Sequence, residues 1–191
     1  MKICMIITAA GMSTRQKRNK LLIRSNDETI IEKTINNFLK NNLNIFIVVG
    51  HQKELMIPIL ENRFGNDINI VENKEYYSGL ASSLKAGLAA AGDSYDYFGF
   101  CNGDKPYIKI KTIESLLNYL DENKPIVLMP LYQEQSGHPI FFSKKLIDEF
   151  ELISGDMGGR EIIKNHPDVL TYLPVNDVGV ILDMDKYLQN E

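Results

Sequence analysis

Two stretches of this chain combine residue types that could hold a polyphosphate and a cation. The first runs Ala9-Ala10-Gly11-Met12-Ser13-Thr14-Arg15-Gln16-Lys17-Arg18-Asn19-Lys20. Its small residues let the backbone approach a ligand and turn N–H groups toward phosphate oxygens. Arg15 can fork onto a phosphate with two hydrogen bonds, and Lys20 can place a point charge there. From Arg15 to Arg24 there are five basic residues and no acid. A solvated surface loop can carry such a run too, but this one combines charge with small residues directly after a buried strand. It is neither G-x-x-x-x-G-K-[ST] nor the G-x-G-x-x-G dinucleotide fingerprint.

The second stretch is Asn102-Gly103-Asp104-Lys105-Pro106. A carboxylate in a tight Gly turn can hold a hard cation, and Mg2+ takes one or two carboxylates together with phosphate oxygens and water. The same residues also make an ordinary Gly-Asp turn. Near the C-terminus, Asp183-Met184-Asp185 would set two carboxylates on one side of an extended chain, a second ligand set beside Asp104. Two further signals are weaker. Gly137-His138-Pro139 holds a lone histidine, more often structural than catalytic. Gly155-Asp156-Met157-Gly158-Gly159-Arg160 opens a short helix that could hold an anion or be a plain cap. Together these residues point to phosphoryl- or nucleotidyl-group chemistry using Mg2+.

What must position them is a strand–helix alternation. Apolar runs at 2–8, 44–50, 68–72, 95–101 and 126–130 read as strands, and 28–41, 53–63, 80–91 and 109–122 as helices. Asn26-Asp27 offers caps for the first helix, and Pro58 must kink the second or sit in its first turn. After residue 130 the alternation breaks: 139–143, 169–175 and 178–183 read as strands, with a short helix from Arg160 to Asn165. Fully apolar strands argue for an α/β fold, one doubly wound, mostly parallel sheet covered on both faces, with an antiparallel excursion in the C-terminal third. Ligands of such sheets bind at the carboxyl ends of the strands, where Lys20 and Asp104 fall.

With 191 residues, 44% hydrophobic and 24% charged, the chain is expected to form a single domain. Its net charge of −4 argues against bulk nucleic-acid binding. No apolar stretch approaches the ~20 residues that span a bilayer, and the first apolar run is short for a signal-peptide core, so no membrane and a cytoplasmic location are expected. Cys4 and Cys101 sit in apolar runs and fit no metal-ligand spacing.

In this order the pieces resemble the molybdenum cofactor cytidylyltransferase-like (MobA-like NTP transferase) family. Ala9, Ala10, Gly11, Ser13, Arg15 and Lys20 are similar to its A-A-G-x-S-x-R-x-G-x-x-K signature. Gly79-Leu80-Ala81-Ser82-Ser83-Leu84 with Gly87 resembles G-[ML]-x-x-S-L-x-x-G, and Gly103-Asp104-Lys105-Pro106 resembles G-D-x-P. Gly137-His138-Pro139, the 155–160 segment and Asp183-Met184-Asp185 resemble G-H-P, G-D-x-G-A-R and D-[IM]-D.

The resemblance implies a GT-A-like nucleotidyltransferase fold. It implies transfer of CMP from CTP to the phosphate of molybdopterin or the molybdenum cofactor, with release of pyrophosphate. Catalysis would rest on Arg15, Lys20 and Asp104. The nucleotide would be held by Ala9, Ala10, Gly11, Met12, Ser13, Arg15, Lys20, Ser83 and Gly103. Mg2+ would be held by Asp104, Asp185 and Asp183, and the phosphorylated pterin acceptor by His138, Asp156 and Arg160. Residues 1–105 would form the nucleotide-binding half and 106–191 the acceptor-binding half, and a molybdenum hydroxylase is a conceivable downstream partner. The A-A-G form of the loop leans to cytidine over guanosine. Three departures stand out: Lys17 for the usual Gly, Lys105 for the usual Met, and no T-P-E-D after Asp185. They admit two alternatives, a different phosphorylated acceptor (a sugar or polyol phosphate) or a non-catalytic module that binds and delivers the cofactor. A nicotinamide-dependent oxidoreductase is disfavoured by the first loop.

Overall fold

The first strand, β1 (Ile3–Ala9), is buried on both faces because its alternate side chains feed two different cores. Met5 and Ile7 point into one, and Cys4 and Ile6 into the other. The structure is a computed structural model that describes residues 1–11, 19–25, 27–182 and 184.

A two-residue hairpin follows, β2 (Arg24–Ser25) against β3 (Glu28–Thr29). The order is then α1 (Ile30–Leu39), β4 (Asn44–Val49), α2 (Lys53–Phe64), β5 (Ile68–Glu72), α3 (Leu80–Ala91), β6 (Tyr97–Asn102) and α4 (Ile110–Asn123). The last third contains β7 (Val127–Tyr132), β8 (Gln135–Ser136), β9 (Ile140–Ser143), α5 (Gly159–Asn165) and β10 (Leu170–Pro174).

The main sheet runs β10-β7-β9-β6-β1-β4-β5, with β8 appended to β7. The pairings of β1, β4, β5 and β6, and of β7 with β10, are parallel. β9 is antiparallel to both of its neighbours, β6 and β7. This is the expected doubly wound α/β sheet. The excursion is one reversed strand wedged between β6 and β7, plus the short β8. Helices α1, α2 and α4 cover one face through Ile31, Ile35, Phe38, Met56, Leu60, Ile113 and Leu116. Helices α3 and α5 cover the other, with Leu84, Ile162, Phe142 and Phe150 inside. None of the helices among the described residues is long and apolar enough to cross a membrane.

Two local expectations change, and for Pro58 one of two alternatives is selected. The run at 178–183 is not a strand: Val178–Val180 closes a 3-10 turn. Asp177, 1% exposed, accepts from the N–H of Gly179 and Lys109 and from the Thr112 hydroxyl, which folds the chain onto the start of α4. Helix α1 is capped by Thr29, which exchanges hydrogen bonds with Glu32 in a capping box; Asp27 precedes the hairpin strand, and Asn26 lies outside the described residues. Of the two places expected for Pro58, the structure has the one inside α2, beyond its first turn.

Helix α3 approaches the sheet closely because Gly87 has no side chain. A β-carbon there would stand 2.4 Å from Ile6 Cγ2 and 3.1 Å from Val48 Cγ2. Gly87→Ala is therefore expected to destabilise the fold by about 1–3 kcal/mol, the usual cost of overpacking. Chemical denaturation of the two proteins checks this; an unchanged midpoint would contradict it.

Candidate active site

The carboxyl ends of β1, β4, β5 and β6 share one edge of the sheet. Ala9 and Ala10 are buried where β1 ends, and Ala10 O accepts the His51 N–H at 3.2 Å. At Gly50, just after β4, a β-carbon would stand 2.6 Å from Tyr76 Cβ and 2.9 Å from Ala10 Cβ. Among the described residues a β-carbon on Gly11 would meet nothing within 4 Å.

Lys20 and Asp104 meet here. After the first loop, Asn19 Oδ1 accepts the Leu21 N–H at 3.1 Å and caps a 3-10 turn over Lys20–Leu22, with Leu21 buried as its anchor. Asp104 follows β6 through Gly103. The Gly103 N–H donates to Thr8 O at 2.9 Å, and Gly103 O accepts the Thr34 hydroxyl at 2.9 Å. A β-carbon on Gly103 would lie 2.8 Å from Ile31 Cδ1, so glycine lets the turn seat against α1. The result is a 2.8 Å bond from Lys20 Nζ to Asp104 Oδ2, with the two side chains 19% and 10% exposed. Asp104 Oδ1 is buried and, among the described residues, has no hydrogen-bond partner. A buried oxygen of this kind is under-satisfied and can accept a cation or donor.

A second cluster lies beside it. Lys105 is buried, and its ammonium donates to Leu182 O at 2.6 Å. The His138 N–H donates to Val180 O, and its Nδ1 lies 3.4 Å from Phe100 O; the peptide to Pro139 is cis. Burial first, then the positive charges of Lys105 and Arg160, press the His138 pKa down to about 4, against an opposing contribution from the Phe100 carbonyl. His138 is therefore neutral at pH 7. Arg160, from the first turn of α5, donates to Ser136 O at 3.2 Å, so it reaches the segment that carries His138. Burial drives both thiols up, Cys4 to about 12 and Cys101 further, which leaves them unreactive.

The structure thus brings Lys20 to Asp104, and His138 to Arg160 and Lys105. Asp156 is exposed on a loop elsewhere: Gly155 O accepts the Ala81 N–H, and Gly79 (φ 103°) presses on the Gly155 carbonyl, so this loop clasps the start of α3. Ser83 is buried, and with Ser82 it accepts from Asn73 Nδ2, at 3.0 and 2.8 Å. Met12, Ser13, Arg15, Asp183 and Asp185 lie outside the described residues. Among the described residues no group of three acidic, His or Cys side chains forms a metal cluster. Asn73 is a site-edge residue that the sequence reading missed; its signal was its place just after β5. Thr34 and Asp177 carried no such signal, because their partners are remote in sequence.

Residues 5–169 match the family described as the MobA-like NTP transferase domain. The chain belongs to that family. It is 30% identical over 141 residues to the molybdenum cofactor cytidylyltransferase of Escherichia coli, an alignment covering 73% of this chain and 69% of that protein. Among solved structures it is similar to a nucleotidyl transferase from Methanothermobacter, with TM-score 0.80, 20% identity and coverage of 99% and 95% of the two chains. A Mycobacterium tuberculosis protein crystallised in complex with manganese has TM-score 0.78, 20% identity and coverage of 99% and 97%. At that identity the two structures establish the shared fold. This MobA-like chain is a nucleotidyltransferase.

Neutral His138 gives a test of the environment around it. The unfolded chain takes up a proton on this histidine below about pH 6.5, whereas the folded chain does so only near pH 4. The unfolded state therefore binds more protons across that window, and the stability present above pH 6.5 is lost as pH falls through it. His138→Gln should show a shallower loss between pH 6.5 and 4 in denaturation curves; parallel curves would contradict this.

Proposed function

We propose that this nucleotidyltransferase moves CMP from CTP onto the phosphate of a molybdopterin-type acceptor and releases pyrophosphate. The observation that carries this reading is the Lys20–Asp104 pair at the carboxyl edge, in a chain 30% identical to a molybdenum cofactor cytidylyltransferase. An acceptor phosphate oxygen attacks the α-phosphorus in line, a new P–O bond forms, and the bond to the bridging oxygen breaks as pyrophosphate leaves. Such a transfer asks the protein mainly for positioning and electrostatics.

The backbone of Ala9, Ala10 and Gly11, continuing into Met12 and Ser13, would face the triphosphate. Arg15 and Lys20 would hold the charge that develops on the α-phosphate and the leaving group. Gly103 would keep the turn tight, and Ser83, through Asn73, would support the nucleoside side. The nucleotide would then occupy the 1–105 half. His138 and Arg160, with Asp156 at the α3 clasp, would serve the acceptor in the 106–191 half.

The donor chemistry fits Mg2+. Asp104 offers a buried carboxylate oxygen without a partner, and Asp183 and Asp185 are the further carboxylates proposed to complete the set. When bound, Mg2+ supplies positive charge to the triphosphate oxygens. Lys20 holds Asp104 in place, and it can hand its own charge to the nucleotide.

The second reading, transfer to a different phosphorylated acceptor, is favoured by Lys105, a buried cation where the family usually has Met. Purified protein with Mg2+, CTP and molybdopterin should release pyrophosphate, and Asp104→Ala or Lys20→Ala should slow this by about 10²- to 10³-fold. Ligand at 100 times its dissociation constant adds about 2.7 kcal/mol to stability. CTP should therefore raise the melting temperature more than GTP at equal concentration. Equal shifts would remove cytidine preference, and release only with sugar or polyol phosphates would select the second reading.

A further inference from the structure

Lys105 is only 7% exposed. Burying an ammonium is costly unless hydrogen bonds and opposite charge offset the lost water. Of its three donors, one goes to Leu182 O at 2.6 Å. Among the described residues it forms no ion pair, and the adjacent carboxylate, Asp104, gives its Oδ2 to Lys20. Among the described residues the other two N–H donors of this buried cation find no acceptor.

The surroundings favour an anion. His138 is neutral, held so by its burial and by the charge of Lys105 and Arg160 together. Arg160 reaches the same segment through Ser136 O. Two cations and a neutral imidazole therefore lie within electrostatic reach of one another and of Asp104. A thioether could not supply that charge.

We propose that Lys105 is a specificity-determining residue that binds the anionic acceptor. Its ammonium takes the charge of a phosphate monoester beside Asp104 and selects phosphorylated acceptors over neutral hydroxyl acceptors. The proposal rests on the nucleotidyl-transfer reading above and adds which residue of this chain reads the second substrate.

The test compares Lys105→Met with Lys105→Arg in the full chain. With CTP and a phosphorylated acceptor, Lys105→Met should raise the acceptor KM about tenfold or more, the weight of one charge-assisted hydrogen bond, and leave the KM for CTP within about twofold. Lys105→Arg should restore most of the acceptor affinity. In parallel, inorganic phosphate is titrated calorimetrically into protein saturated with Mg2+ and a non-hydrolysable CTP analogue; the wild type should bind it and Lys105→Met should weaken that binding by a similar factor. If the variant lowers kcat at unchanged acceptor KM, or weakens CTP and acceptor alike, Lys105 is a tether of the 182 segment and the proposal is overturned. Absence of phosphate binding by the wild type overturns it as well. If the wild type binds phosphate through Lys105 yet releases no pyrophosphate with any acceptor, the transfer reading fails and the anion site stands.

Discussion

The bond from Lys20 to Asp104 joins two residues 84 positions apart and ties the loop after β1 to the turn after β6. A largely buried ion pair is weak evidence for stability, because removing two charges from water can cost more than their attraction returns. Its consequence is geometric: one cation and one carboxylate are held at a known place on the sheet's carboxyl edge. Much of the surrounding structure serves to keep them there. β1 must be apolar on both faces to lie inside the sheet beside β6, Leu21 and the Asn19 cap fix the turn that carries Lys20, and Gly103 lets the Asp104 turn lie against α1.

The reversed strand β9 builds the other side. Running antiparallel between β6 and β7, it starts near the edge where its parallel neighbours end. The residues just before it, Gly137 and His138, are thereby carried to the same edge as Asp104. A β-carbon on Gly137 would lie 2.4 Å from Val180 O, and His138 donates to that same oxygen, so the segment rests directly on the 178–180 turn. Asp177 in turn fastens that turn to α4. The C-terminal third is thus a chain of backbone contacts that ends at His138 and Leu182.

How much of this could be read from the sequence depends on whether the signal is local. The apolar strands and amphipathic helices were legible because burial on two faces leaves continuous runs, and helix α1 buries Ile31, Ile35 and Phe38 at helical spacing. The placement of Lys20 and Asp104 was legible because both follow strands at the same edge. The 178–183 run was misread because an apolar stretch declares burial but not conformation; the partners of Asp177, at Lys109 and Thr112, decide it from 65 residues and more away. The Thr29 cap was missed because Asn26 and Asp27 are good caps by type, whereas the short hairpin delays the helix start. Asn73 was overlooked because the serines it holds drew attention to themselves.

The net charge of −4 describes none of this. At the site, opposite charges stand on consecutive residues whose partners lie far apart in the chain. Asp104 reaches back to Lys20, and Lys105 reaches forward 77 residues to Leu182. Because the two side chains engage different neighbours, they do not neutralise each other as a pair. Among the described residues the carboxylate is left with one unpartnered oxygen and the ammonium with spare donors. In the proposed transfer between two phosphates each substrate carries negative charge, and bringing both together costs repulsion that local cations must offset. On the proposed reading Lys20 and Lys105, which engage different neighbours, divide that work, one cation for each substrate. On that reading Lys105, buried and bonded to Leu182 O, is the group that meets the charge of the acceptor's phosphate.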